Sequence, residues 1–331
     1  MESLVTTLID DARPVGPVSP PTPPPQPVRK RKLNLLPYVL VLPAFIAELA
    51  IHIIPMLLGI WIAFLNLNQL SIRNWISADF VGFTNFINGL NPAGAIGSEF
   101  FGTLARTVVY TAIVLAGSWV LGTSAAYFLN TKFKGRAVLR TLYLVPYALP
   151  VFVSTISFAF MFNQRDGLVN KILVDDLGLF SERPFWLIGS NAFIVLILAS
   201  IWTTWPFAFL LQLAALQTVP EEVYEAAALD GANRWRQFIG ITLPMIRPSN
   251  VVLLLLMFLS TFNQFTVPYV LFGASAPPDA QLISPLIYQF SFGTWNFGLG
   301  GAVSVMLLVL LFIVSAIYIR LVMPKEKNPR A

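Results

Sequence analysis

The chain has 331 residues, 56% of them hydrophobic and 11% charged, with a formal net charge of +5. Soluble domains carry about 25% charged residues, so this composition excludes a chain exposed mainly to water and points to a membrane. With no cysteine and one histidine, His52, disulfides, thiolate metal sites and histidine clusters are excluded; with no G-x-x-x-x-G-K-[ST] run, so is a nucleotide-phosphate loop.

Residues 1–28 include eight prolines and are expected to be an extended, disordered tail, ending at 32 with the basic cluster Arg29–Lys32. A basic run before apolar residues also fits a signal peptide cleaved near Ala50, but the apolar run continues past that point, which favours retention. Residues 33–323 are expected to form the membrane domain, and 324–331 a short C-terminal tail.

A helix needs about 20 residues to cross a bilayer core of about 30 Å. Six stretches qualify: 35–62, 104–129, 139–162, 191–216, 248–272 and 300–322. Lipid offers no partner to open backbone, so each is expected to be helical. The fold class is therefore all-α membrane protein with six transmembrane helices. Placing both termini in the cytoplasm puts 16 of the 21 Lys and Arg inside, as the positive-inside rule requires of a bacterial or archaeal cytoplasmic membrane. The loops 66–103, 163–190 and 273–299 then lie outside. The first of these carries Trp75, Phe80, Phe83 and Phe86, suited to the membrane surface or a partner. No internal repeat is visible, which argues against an inverted-repeat carrier.

Glu48 and His52 lie four apart in the first span, so they can meet on one helix face. They are either a mutually satisfied pair or a proton relay. In the fourth span Thr203 and Thr204 stand beside Trp202, Trp205 and Phe207, with Gln212 further along. The fifth holds Ser260, Thr261, Asn263 and Gln264, and helical spacing gives Ser260, Thr261 and Gln264 one face. Such groups either knit helices together or line a pathway, where hydroxyls and amides beside aromatic faces suit a sugar. No Lys or Arg falls within a span away from its ends, which favours a neutral saccharide over a phosphorylated solute.

Between the fourth and fifth spans runs Glu225-Ala226-Ala227-x3-Gly231-x9-Ile241-x-Leu243-Pro244. Pro220 suits a first helical turn, Glu221 and Glu222 complement its dipole, and Gly231 stands where a left-handed stop belongs. A helix of about three turns is expected over 220–230 and a second short one over 232–240. Read alone, this is an amphipathic surface helix. As a string of fixed residues at fixed spacing, it resembles the EAA loop of permease subunits in binding-protein-dependent ABC importers. Gly135–Pro150, Trp202–Phe207 (WTTWPF) and Phe80–Phe86 (FVGFTNF) resemble the maltose- and glycerol-phosphate-type carbohydrate permeases, particularly the first of the two paired subunits. The similarity covers about 33–323.

That resemblance implies a type I importer permease fold. The permease would pair with a second, homologous permease, an ATPase dimer and an extracytoplasmic solute-binding protein. The chain would be no enzyme and hold no cofactor, with ATP and magnesium bound by the ATPase. The loop 218–246 would be the coupling element. Glu225 would pair with a basic ATPase residue, Ala226 and Ala227 would permit close docking, and Gly231 would turn the chain, with Asp230, Leu243 and Pro244 completing the motif. Thr203, Thr204, Phe207, Ser260, Thr261 and Gln264 match positions lining the family's membrane sugar site. The alternatives are import of glycerol-phosphate-type or other polar solutes by the same machinery, and a proton-coupled carrier built on Glu48 and His52.

Overall fold

The computed structural model describes residues 36–322. The tails expected over 1–32 and 324–331 lie outside the described residues. The chain divides into two compact units, Met1–Ile53 and Ile54–Ala331. In the first, α1 (Leu36–Glu48) runs into a π-helical turn over Leu49–Ile53.

The second unit opens with α2 (Ile54–Ile62), followed by α3 (Thr84–Leu90) and the 36-residue α4 (Ala95–Asn130). The FVGFTNF stretch fastens this entry. Asn85 Nδ2 donates to the carbonyls of Ala63 and Leu65 at 3.0 and 2.9 Å, while Phe83 and Phe86 pack on Phe64 with ring centroids 5.4 and 5.1 Å apart. The aromatic residues expected to meet membrane or partner thus also close on their own chain, although Phe80 and Phe83 remain exposed.

The third expected span, 139–162, is not one helix. It divides into α5 (Arg136–Tyr143), α6 (Val145–Ala148) and α7 (Val151–Met161). Pro150 caps α7, and Leu149 before it is extended at ψ 138°, the conformation a residue preceding proline prefers. Eleven residues rise only about 17 Å. Among the described residues, five helical stretches are long and apolar enough to cross a membrane: Leu36–Ile62, Ala95–Asn130, Asn191–Leu216, Arg247–Phe272 and Phe297–Val322. α7 is a shorter apolar sixth.

After α8 (Leu168–Asn170), α9 (Asn191–Leu216) packs along α4. Apolar faces gain little from meeting each other in lipid, so close approach of small residues holds such pairs. A Cβ on Gly122 would come within 2.6 Å of both Ala208 Cβ and Phe209 N, so only glycine fits there. Tyr110 donates its hydroxyl to Ser200 at 2.7 Å, both buried.

The connector follows as α10 (Glu221–Leu229), α11 (Arg234–Gln237), a π turn over Phe238–Thr242 and α12 (Leu243–Met245). The fifth span is broken: α13 (Arg247–Phe262) stops and α14 (Thr266–Phe272) restarts. The 273–299 segment is less open than its sequence suggests. α15 (Ile283–Tyr288) buries Ile283, Pro285 and Leu286, and the Ile283 amide donates to the buried Thr107 hydroxyl on α4 at 3.0 Å. α16 (Phe297–Val322) completes the unit. Among the described residues there is no strand, and two isolated bridges pair Leu65 with Phe80 and Asn68 with Asn296.

Candidate functional site

The connector is built by local hydrogen bonding. Pro220 is extended and serves as N-cap, one residue before the first turn where the sequence suggests it, leaving Glu221 and Glu222 in that turn. At the other end Gly231 has φ +79°. The Ala232 amide donates to the Ala227 carbonyl at 2.9 Å and the Gly231 amide to the Ala228 carbonyl at 3.1 Å. These two bonds constitute a Schellman termination. Asn233 then caps α11, its Oδ1 accepting from the Arg236 amide at 2.9 Å.

The two short helices are fastened to each other. The hydroxyls of Tyr224 and Thr242 lie 3.0 Å apart, with Thr242 fully buried. Tyr127 on α4 meets Phe238 edge to face at 4.9 Å and donates to the Arg234 carbonyl at 3.3 Å. Consequently Val223, Tyr224 and Ala227 turn inward, half-buried. Glu222, Glu225, Ala226 and Leu229, spaced i, i+3, i+4 and i+7, form the outer face. Leu229 is 90% exposed and Trp235 on α11 is 68% exposed. Asp230 is exposed beside Gly231, Leu243 packs into the core below and Pro244 stays open.

Above the connector, three spans are joined by a polar clasp. Gln212 on α9 donates from Nε2 to Thr123 Oγ1 on α4 at 2.9 Å and to Asn250 Oδ1 on α13 at 2.6 Å. Trp119 Nε1 reaches the same Asn250 oxygen at 2.8 Å. Trp119 and Asn250 also line a cavity of about 400 Å³ with Ile239, Leu243 and Pro244 of the connector. Of the clasp, sequence reasoning singled out only Gln212. Isolated amides and hydroxyls at 119–123 and 250 are weak signals until three helices bring them together. Tyr224 and Thr242 were missed because a tyrosine and a threonine 18 positions apart carry no spacing signal until the connector folds back on itself.

The polar residues of the fourth and fifth spans are less tightly assembled. Thr203, Thr204 and Phe207 are half-buried on α9, and Thr203 Oγ1 donates to the Ala199 and Ser200 carbonyls of its own helix at 3.2 and 3.1 Å. Phe207 stacks near Tyr147 at 6.3 Å and packs on Leu253 and Met257 of α13. One turn on, Ser260 is exposed and donates to the Met257 carbonyl at 3.1 Å, while Thr261 is 3% exposed. Gln264 does not share their helix face, as its spacing suggests, because α13 ends at Phe262 and Asn263 turns at φ −89°, ψ 15°. Its side-chain oxygen instead accepts the Val267 amide of α14 at 3.5 Å. Trp202 and Trp205 point elsewhere, into an apolar cleft with Tyr143 and Phe158. Beyond the break, Asn263, Ser284, Tyr288, Ser291 and Ser304 line a groove of about 530 Å³ that sequence spacing did not indicate.

In the first unit, His52 Nδ1 meets Glu48 Oε2 at 3.2 Å, with the side chains 69% and 58% exposed. Among the described residues there is no group of three or more His, Cys, Asp or Glu that could hold a metal.

Long apolar helices with an exposed helical pair between the fourth and fifth spans are the architecture of a membrane transport subunit. Residues 118–327 match the family described as binding-protein-dependent transport system inner membrane component, and the chain belongs to that family, the permease subunits of ABC importers. It is a multi-pass protein of the cytoplasmic membrane and a translocation subunit. It is 34% identical over 261 residues, 78% of this chain and 85% of the relative, to the inner membrane ABC transporter permease protein YcjO of Escherichia coli. It is 31% identical over 294 residues, 88% and 94% of the two chains, to the trehalose/maltose transport system permease protein MalF of Thermococcus litoralis. The fold matches a chain of the bacterial alginate ABC transporter in complex with alginate pentasaccharide-bound periplasmic protein, with a TM-score of 0.72 at 22% identity over 86% of this chain and 93% of that one. Family membership sets aside the proton-coupled carrier built on Glu48 and His52.

Proposed function

We propose that this chain forms half of the translocation pathway of a carbohydrate importer and couples it to a separate ATPase through residues 218–246. The observation that carries the coupling is the outer face of the connector. Glu225, Ala226 and Leu229 stand outward on a helix whose other side is tied down by Tyr224 and Thr242, so a force applied to that face passes into the bundle rather than bending a loose loop. Leu229 and Trp235 supply exposed apolar surface for a partner, Ala226 permits its backbone to approach, and Glu225 offers a carboxylate to a basic residue. Gly231 holds the angle between the two helices, while Asp230, Ala227, Leu243 and Pro244 keep the turn and the return to the membrane.

The other members of the assembly are a second homologous permease, two ATPase subunits holding ATP and magnesium, and a solute-binding protein on the far side. Both termini and the connector face the cytoplasm, in keeping with the distribution of Lys and Arg. The solute is a saccharide, as the name of the Thermococcus litoralis relative suggests. It passes between the two permeases along Thr203, Thr204, Phe207, Ser260, Thr261 and Gln264, where hydroxyls, an amide and an aromatic face fit a sugar ring.

The test is reconstitution of the permease pair, ATPase and binding protein in vesicles, with uptake of labelled saccharides and cross-linking of a cysteine placed at Ala226. ATP-dependent saccharide uptake with a cross-link to the ATPase is expected. An uncross-linked connector in a transporting complex defeats the coupling assignment, and uptake confined to non-saccharides defeats the solute.

A further inference from the structure

Where the connector meets the α4–α5 link there is a cavity of about 740 Å³ lined by Lys132, Arg136, Arg140 and Arg234, with Glu221 as the one carboxylate. Glu221 is already engaged by Lys132 at 2.7 Å. Among the described residues, Arg136, Arg140 and Arg234 have no acidic partner within ion-pair distance. Arg140 is held in place by donating to the Leu129 carbonyl at 2.8 Å, while its Nε is buried without a hydrogen-bond partner. A cavity with this surplus of positive charge calls for an anion.

A second feature adjoins it. On α4, the next face over from Tyr127 and Asn130 carries Leu121, Ser124, Ala125 and Phe128, which wall an apolar cleft of about 770 Å³ with Trp202 and Trp205. Tyr143, at the end of the helix that supplies Arg136 and Arg140, lines the same cleft. Phe128 is 57% exposed in a span that lies in lipid. A free phosphate has no use for the cleft and a neutral lipid none for the arginines. An anionic headgroup with an attached acyl chain uses both, and basic pockets between membrane helices are established headgroup sites.

We infer that the arginine-lined cavity and the neighbouring apolar cleft form one binding site for an anionic phospholipid, its phosphate held by Arg136, Arg140 and Arg234 and a chain lying along α4. Because Tyr224 and Gln237 wall the same cavity, the headgroup braces both halves of the connector against the α4–α5 link. The site does not depend on which solute is carried.

The experiment is native mass spectrometry of the full chain, alone and assembled with its ATPase, released from nanodiscs of phosphatidylglycerol mixed with phosphatidylcholine. Phosphatidylglycerol should be retained over phosphatidylcholine by about tenfold. Replacing Arg136, Arg140 and Arg234 together by Gln should abolish the preference, while replacing all three by Lys should keep it, which separates charge from misfolding. Ser124→Trp, filling the cleft, should weaken retention. Equal retention of the two lipids by the unaltered chain, or a preserved preference in the Gln variant, overturns the proposal. Displacement of the lipid by millimolar inorganic phosphate would reduce the site to one for free anions. Loss of the preference on ATPase binding would give the cavity to the protein partner; either result also overturns the lipid assignment.

Discussion

The connector and the polar stretch of the fourth and fifth spans are organised on different principles. Residues 220–246 are shaped by near neighbours: the Schellman bonds from Gly231 and Ala232 and the Asn233 cap span a few residues each, and the Tyr224–Thr242 contact closes the connector on itself. Thr203, Phe207, Ser260 and Gln264 come from helices far apart in sequence, and their bonds run to their own or adjacent backbone. The first arrangement stiffens a segment in itself. In the second, the hydroxyls of Thr203 and Ser260 and the amide of Gln264 make no hydrogen bond to another span, and only packing, as of Phe207 on α13, joins the helices there.

The largest expected effect breaks the rigid half. Gly231→Pro demands a negative φ where the chain has +79°, at a local cost of about 3 kcal/mol or more. Uptake should vanish in vesicles while membrane insertion, followed by protease accessibility, is unchanged. Next comes the docking face: Leu229→Glu should weaken ATPase association about 30-fold by co-purification titration, as loss of a central apolar anchor does. The clasp lies between the two regions. Asn250→Leu removes two interhelical bonds, each worth about 0.6 kcal/mol in a membrane. It should lower the melting temperature slightly and raise ATP hydrolysis per solute moved. Gln264→Leu tests the open half: KM for the sugar should rise about fivefold with ATPase association intact. The smallest effect is expected at Lys132→Gln, because the pair with Glu221 is 73% and 71% exposed and such pairs contribute little. Thermal stability should not move measurably.

Much of the connector was legible beforehand. Pro220, Glu221, Glu222 and Gly231 are local signals, and the first helix and the left-handed turn stand where those residues predict them, while the second helix, expected over 232–240, starts at Arg234 and passes into a π turn over Phe238–Thr242. Five long spans follow from apolar length, and their positions differ from expectation chiefly at α4, which begins nine residues earlier than 104. The third span was misread as continuous because hydropathy does not register that Pro150 cannot donate a backbone bond. The fifth differs because Asn263 and Gln264 read by spacing as part of a polar helix face, whereas the helix stops at Phe262 and Gln264 falls in the break.

By itself the sequence determined a membrane-embedded helical chain and a stiff polar hinge, since length, charge and turn chemistry act within a few residues. Only the tertiary structure decided which polar groups meet. Gln212, Asn250, Thr123 and Trp119 become a clasp, and the distant Arg234 joins Lys132, Arg136 and Arg140 around one cavity. Burial and partnership depend on helices crossing, and crossing is fixed by contacts such as Gly122 against Ala208 that no single stretch encodes.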